Sequence, residues 1–519
     1  MEFDQSCFNK TRTIIMGYKI VLTSDRTMAS DYHGNMFFGF SACLPQGVLP
    51  DWFYYSVFCP SGSADREGRL IHANYGMRKI EAALLAKGFN RSEVIVAHPD
   101  HLNRAISDET KIVSISSNDP LGIGPATSTF VQLWGGEGRM AVKLRELLNK
   151  PSIKKFKPTI ILGGPGAWQL KVHPEKRKKL GVDFVVVGEG EVTAPKLFKK
   201  ILDGQFPIPE VIEGEIVRDK DIADIVGGSI CGIVEVTRGC SRNCAFCIPS
   251  LKKVRSRPLN HILAEVQTNI ESGNRGVILH GEDVFQYKSK NLRVNHKAVV
   301  ELFNRVYHIS GVKWVTASHA SLSSAMSSPE TVKKISKVLE LGTDKHPTKA
   351  FQVGIETGSP KLIHKHMRGK VYPFKSKEWP DVVRGAFKLL HENHIVSCST
   401  IIMGLPGEDQ HDIQQTIDLM KTLKPYQSII VPLLFTPMET TRLEYAKPLL
   451  KKDLSPKHHE LISVCWDHNL DWFPALWANY GRDNSLFVKT VIGLLLKLGT
   501  EPLRKKVHRN AMKHGANIR

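Results

Sequence analysis

The sequence predicts an α/β protein: two parallel-sheet units in succession and then a helical region. Three observations carry that prediction. Short apolar runs alternate with amphipathic stretches over two long segments, polar or glycine-rich loops recur just after the apolar runs, and beyond about residue 440 the pattern turns helical and aromatic. A chain of 519 residues exceeds one ordinary core, so more than one domain is expected before any motif is considered.

After an N-terminal extension, 1–17, the first unit spans 18–205 and reads as a doubly wound, Rossmann-like domain. Its predicted strands are 19–23, 94–97, 112–116, 159–162 and 184–187. Helical spacing of apolar residues appears between them at 79–87, 141–149 and 194–202. Ligands of such sheets gather beyond the carboxyl ends of the strands. The loops there are Ser117-Asn118-Asp119, Gly163-Gly164-Pro165-Gly166 and Gly188-Glu189-Gly190-Glu191, and their glycines allow close backbone approach to a ligand. Residues 206–231, with two prolines and a Gly-Gly pair, read as a linker. A second series follows over 232–440, with strands at 233–236, 276–279, 314–317, 351–355, 399–403 and 429–434. Six βα units of this length suit a partial (β/α)6 barrel with its site at the carboxyl ends. The last unit, 441–519, is a small mainly helical domain marked by Trp466, Trp472, Phe473, Trp477 and Tyr480.

Composition narrows the class. Apolar residues at 42% and charged residues at 24% are ordinary for a globular protein and exclude extensive disorder. No apolar run approaches the ~20 residues of a membrane span. Residues 1–10 carry Glu2 and Asp4 and lack a signal-like apolar core, so a cytoplasmic location is expected. Lys and Arg exceed Asp and Glu by 71 to 51, a net charge of +20; this favours an acidic protein, a nucleic acid or an anionic cofactor as partner. Of nine cysteines, three crowd into one short loop, which suits a metal centre in a reducing compartment better than disulfides.

That loop is Thr237-Arg238-Gly239-Cys240-Ser241-Arg242-Asn243-Cys244-Ala245-Phe246-Cys247, directly after a predicted strand. Thiolates hold iron-sulfur clusters, and four of them would close every iron. Three leave one iron with a vacant position, as a catalytic centre requires. A structural zinc site would need a fourth ligand at zinc spacing, and none is evident.

The Cys-x3-Cys-x2-Cys run with Phe246 before its last cysteine resembles the radical S-adenosylmethionine (SAM) superfamily. The resemblance implies a 4Fe-4S cluster on Cys240, Cys244 and Cys247 and SAM on the open iron, cleaved to methionine and a 5′-deoxyadenosyl radical. Other positions match singly. Gly281-Glu282-Asp283 resembles the family's GGE element at the SAM ammonium, with His280 in place of the first glycine. Ser318 or His319 stands where a polar residue meets the SAM carboxylate or ribose. Glu356, in Gly354-Ile355-Glu356-Thr357-Gly358-Ser359, resembles the acid near the ribose, and Arg368 is a candidate for the carboxylate. Ile402 and Gly404 resemble the fifth-strand element against adenine.

Gly163, Gly164 and Pro165, followed by Gly188, Glu189 and Gly190, are similar to cobalamin-binding domains fused to radical SAM barrels. The Asp-x-His-x-x-Gly motif that gives cobalt a histidine is absent, because Asp31-Tyr32-His33-Gly34 places its glycine wrongly. The resemblance therefore implies cobalamin without a histidine lower ligand, with Ser117, Asn118 and Asp119 near its lower face. The pairing resembles cobalamin-dependent radical SAM methyltransferases, which implies methyl transfer through methylcobalamin to an unactivated carbon. The segment Asp31 to Asn35 with Phe37-Phe38-Gly39-Phe40, and the aromatic C-terminal unit, look like archaeal enzymes that methylate a glutamine of methyl-coenzyme M reductase. That implies a protein or peptide substrate, a place in methanogenesis, and an electron donor such as ferredoxin or flavodoxin. Two alternatives stand beside it. One is a methylthiotransferase with a second cluster, for which Cys7, Cys43 and Cys59 would serve; their scattered placement argues against it. The other is a basic nucleic-acid-binding protein with a structural metal.

Overall fold

The computed structural model describes residues 17–34, 36–482 and 484–517. Most of the 1–17 extension lies outside these residues, as do Cys7 and Asn35, and the side chain of Phe37.

The first unit is one six-stranded parallel sheet. Its strands are β1 (Ile20–Ser24), β2 (Val94–Val96), β3 (Ile112–Ser116), β4 (Thr159–Gly163), β5 (Phe184–Val187) and β6 (Val211–Glu213). They lie side by side in the order β2-β1-β3-β4-β5-β6. The order reverses between β1 and β3, the switch point where such sheets open a crevice. Successive side chains of a strand point to opposite faces, and here both faces are apolar. Val21, Ile95, Val113 and Leu162 enter one core layer, and Ile20, Val94, Ile112 and Ile161 enter the other. β6 belongs to the segment expected to be a linker. Its residues pair with the open edge of β5, Val185 against Val211, because a parallel edge left bare would waste a row of backbone donors and acceptors.

The second unit has six parallel strands in sequence order. β7 (Ile233–Glu235), β8 (Gly276–His280) and β9 (Trp314–Ala317) form one ladder. β10 (Lys349–Glu356), β11 (Ile395–Met403) and β12 (Ser428–Leu434) form another. A parallel bridge between His319 and Gln352 joins the two, which makes the partial barrel. Val234, Leu279, Val315, Val353 and Ile401 face the surrounding helices in the main core. Glu235, His280, Ser318, Gln352 and Glu356, one residue out of phase, face the lumen. β11 begins four residues before its expected start, and the lumen side of its first half, Val396 and Cys398, packs with Ala350, Ile429, Trp472, Phe473 and Tyr480. The C-terminal aromatics thus close the lower part of the open barrel.

The C-terminal unit is two long helices, Pro456–Tyr480 and Leu486–Lys513. Trp477 stacks on Phe38, ring centres 5.8 Å apart, which ties this unit to the start of the chain. Among the described residues no helix is long and apolar enough to cross a membrane.

The two sheets are braced against each other. Leu434 N–H donates to Thr129 Oγ1 at 2.9 Å, and Tyr75 donates to Glu265 at 2.7 Å. Lys79 and Arg257 share the fully buried Glu265 carboxylate. Gly228–Ser229, also from the expected linker, pairs with His72–Ala73.

Candidate active site: a cysteine loop over a polar barrel lumen

The cysteine loop leaves β7 and returns through a short antiparallel ladder, Thr237–Arg238 with Arg255–Ser256. Backbone bonds fold it back on itself: Cys240 N–H donates to Pro249 O and Lys252 O, both at 3.1 Å, and Ala245 N–H to His366 O at 2.9 Å. Cys240 and Cys244 are buried and Cys247 is half-buried. Burial pushes the Cys240 and Cys244 thiols up to about 11. Bare thiolates are therefore disfavoured there, and a bound metal centre would supply the missing countercharge. Phe246 packs with Cys247 on the edge of the main core. Among the described residues no three His, Cys, Asp or Glu side chains converge on a single ion. A cubane has no such need, because each thiolate attaches to a different iron. The three cysteines on one folded loop fit that group.

Arg242, between the first two cysteines, is the loop's anchor. It donates to Gly369 O at 2.9 Å, Lys370 O at 3.0 Å, Ser324 Oγ at 2.7 Å and Asp283 Oδ2 at 3.1 Å. Asp283 also accepts from Ser324 Oγ and from the Ser321 and Phe285 amides. With both oxygens so engaged at 1% exposure, Asp283 holds the loop to the barrel and has no acceptor left for SAM. Its expected place at the ammonium is corrected to an anchoring one. Glu282 does stand at the lumen, where burial raises its carboxyl.

A hydrogen-bonded belt crosses the lumen. His280 Nδ1 and His319 Nδ1 each lie 3.0 Å from Ser318 Oγ, and Gly281 N–H donates to the same oxygen at 3.3 Å. Burial lowers both imidazoles, His319 to about 4, so both are neutral near pH 7. A single hydroxyl proton cannot serve two imidazole nitrogens, so the two rings hold complementary tautomers whenever Ser318 donates to one of them.

Glu356 ends β10 at φ +65°, in the left-handed region that a non-glycine residue occupies at a cost. The turn carries its carboxylate to Lys370 Nζ at 2.9 Å, and Lys370 in turn is the strongest charge acting on Cys244. Arg368 points elsewhere. It is exposed and bonded to His364 O and Nε2, and the cation that stands beside Glu356 and Cys244 is Lys370. Sequence reading passed over Lys370 because a lysine two residues past a matched arginine carries no motif of its own. Ile402 is half-buried on the lumen side of β11. Gly404 has φ +82°, and a Cβ there would lie 2.5 Å from Leu449 Cβ, so its lack of a side chain serves packing.

At the carboxyl edge of the first sheet, Ser117 Oγ, Asp119 Oδ2 and Asp25 Oδ2 are buried without a hydrogen-bond partner. Such atoms are rare unless a ligand or water meets them, and they cluster on the loops after β1 and β3, at the switch point. Asp119 uses its other oxygen for Gly124 N–H and Gln169 Nε2. Asn118 lies beside them: a Cβ on Gly166 would come within 2.5 Å of Asn118 O. A Cβ on Gly164, at φ +93°, would come within 3.0 Å of Ser116 and Ser117 atoms. Gly164 and Gly166, with Gly163 O accepting from Ser117 N–H at 3.0 Å, thus bring the β4 loop, Pro165 included, onto the β3 loop. Gly188 has φ +103° and a Cβ on Gly190 would meet Ile80 at 2.7 Å. Glu189, expected at the corrin, is instead bound to Arg238, Arg255 and the Val217 amide. His33, the misplaced motif histidine, has its Nε2 3.1 Å from Val57 O.

The arrangement defines a class first: a doubly wound domain whose carboxyl edge abuts the cysteine loop of a partial barrel with a polar lumen. Residues 234–420 match the radical SAM superfamily, so the chain carries a radical SAM domain, and with it the implication of a 4Fe-4S cluster and SAM. In fold the chain is similar to the radical SAM methyltransferase TsrM of Kitasatospora setae, solved with cobalamin and a [4Fe-4S] cluster bound. The TM-score is 0.53 at 14% identity, over 82% of this chain and 74% of that one. Among curated sequences it is 24% identical over 275 residues to the tRNA-2-methylthio-N(6)-dimethylallyladenosine synthase of Psychromonas ingrahamii, 52% of this chain and 54% of that protein. It is also 24% identical to the threonylcarbamoyladenosine tRNA methylthiotransferase MtaB of Aquifex aeolicus, over 60% of this chain and 72% of that one. The matching stretch thus spans only about half the length of the first of these relatives.

Proposed function

We propose that the protein is a cobalamin-dependent radical SAM C-methyltransferase acting on an unactivated carbon of a protein or peptide, with a glutamine of methyl-coenzyme M reductase as the substrate to test first. The observation that carries the reading is the contact between the two sheets' carboxyl edges. Glu189 and Glu191, just past β5, bind Arg238, two residues before Cys240. A ligand seated at the switch point of the first sheet would therefore lie on the same side as the cysteine loop. When bound, the cluster supplies the electron that cleaves SAM and cobalamin carries the methyl group. The chain's own share is positional. Cys240, Cys244 and Cys247 hold the cluster, and Glu282, Ser318, His319, Glu356 and Lys370 line the lumen where SAM would lie. Gly281, Ile402 and Gly404 shape its walls, and Ser117 and Asp119, with Asn118 between them, offer unpaired oxygens where a corrin would lie. The overall likeness to TsrM supports this reading, and a net charge of +20 suits an acidic substrate surface and an acidic electron donor such as ferredoxin or flavodoxin.

The curated relatives favour methylthio transfer as a second reading, which needs a second cluster. Cys59 is fully buried, with its sulfur near Arg26, and Cys43 sits beside Asp119 and Thr127. The two thus have separate surroundings.

Anaerobic reconstitution with iron, sulfide, cobalamin and SAM decides between them. Methyl transfer predicts about four irons per chain, one corrinoid, 5′-deoxyadenosine and a one-methyl mass gain on the peptide. About eight irons without corrinoid, and a sulfur-containing mass gain on tRNA, would establish the second reading. Cys244→Ala must abolish 5′-deoxyadenosine in either case.

A further inference from the structure

The ladder that closes the cysteine loop contains an unfavourable pair. Arg238 and Arg255 stand directly opposite each other, and like charges in that position destabilise a strand pair. Glu235 of the barrel neutralises Arg238 in part, and the charge that bridges the two arginines comes from the other domain. One oxygen of Glu189 accepts from Arg238 Nη1 at 2.8 Å, and the other binds Arg255 Nη2. A single carboxylate therefore spans both strands at the base of the loop. Glu191 accepts from Arg238 Nη2 at 2.7 Å, and Glu235 accepts from its Nε and Nη2, each at 2.8 Å. Arg255 Nη1 reaches Val217 O, whose own amide donates to Glu189 Oε2 at 3.2 Å. The Arg238 and Glu189 side chains are 20% and 12% exposed, so water screens this lattice only in part. Gly188 and Gly190 leave Glu189 little freedom, since one turns at φ +103° and the other is pressed against Ile80.

We propose that Glu189 is a positioning residue that holds the base of the cysteine loop shut, so that the barrel's retention of its cluster depends on the seating of loop 188–191 of the first domain. This goes beyond methyl transfer: it rests on the cluster assignment alone and holds whether or not a corrinoid binds. Anything that packs against loop 188–191 is then energetically coupled to the cluster, and the coupling runs both ways.

The test is Glu189→Gln in the full chain with reconstituted cluster, a change that keeps length but removes the charge between two guanidiniums. Iron loss to a ferrous chelator without oxygen should be about tenfold faster than in the native protein. The midpoint potential of the cluster should become more positive, because a negative charge nearby is gone. Two controls separate this from general destabilisation. Glu215→Gln breaks the exposed pair with Lys196 and should change neither readout. Leu162→Ala weakens the same domain's core and should lower the melting temperature without moving the potential. Native iron retention and native potential in Glu189→Gln overturn the proposal. Should that variant fail to fold, Glu191→Gln, which removes one of Arg238's acceptors, must move both readouts the same way by less, and no movement there overturns it equally.

Discussion

The two parallel sheets use their faces in opposite ways. In the first, both faces are apolar and covered, Val113 and Leu162 on one side and Ile112 and Ile161 on the other, so a ligand has room only past the strand ends. In the barrel one face is apolar, and the other carries Glu235, His280, Ser318, Gln352 and Glu356 into the lumen. Unpaired oxygens of Ser117, Asp119 and Asp25 lie at the edge of the first sheet, whereas the barrel's belt of His280, Ser318 and His319 is bonded within its interior. Strand alternation alone thus separates an edge site from a lumen site.

The contrast can be broken at its most loaded point, the anchor of the cysteine loop. Arg242→Met leaves the carboxylate of Asp283 buried without its cation, and should cost about 3–5 kcal/mol in denaturant unfolding, with loss of bound iron. A cost under about 1 kcal/mol would mean that the anchor is dispensable. A second comparison sets the two faces directly against each other. Leu162→Ala, fully buried in the first sheet, should cost about 2–5 kcal/mol. Gln352→Ala in the lumen should stay within about 1 kcal/mol of native stability yet weaken SAM binding measured by calorimetry. Equal costs at the two sites would erase the distinction.

The smallest effect concerns pH. Burial pushes the His319 imidazole down to about 4, below its value in the unfolded chain. Between about pH 6.5 and 4 the unfolded state therefore binds a proton that the folded state refuses, and stability falls as pH falls through that window. In His319→Gln that component disappears, so acidification from pH 7 to 5 should cost about 2 kcal/mol less than in the native chain. An identical loss in both proteins would show that His319 protonates freely.

Much of the molecule was legible in the order of residues. Short apolar runs located every strand from β1 to β12 except β6, and the spacing of Cys240, Cys244 and Cys247 marked the candidate site. Strand β6 was missed because Val211–Glu213 is a short run among prolines and charges, and only the open edge of β5 makes a strand of it. The glycines of 163–166 were read as ligand contacts, and Gly164 and Gly166 are instead packed tightly against residues 116–120 at the end of β3.

By itself, then, the sequence determined where the apolar strands run, the order of the two sheets and the crowding of three cysteines on one loop, because these depend on neighbours along the chain. Tertiary structure alone decided the roles of the charged residues. Asp283 became an anchor, Lys370 came to stand beside Glu356 and Cys244 while Arg368 turned outward, and Glu189 came to span Arg238 and Arg255. A charge's role is set by whichever opposite charge folding brings within about 4 Å, and those partners lie up to 66 residues away.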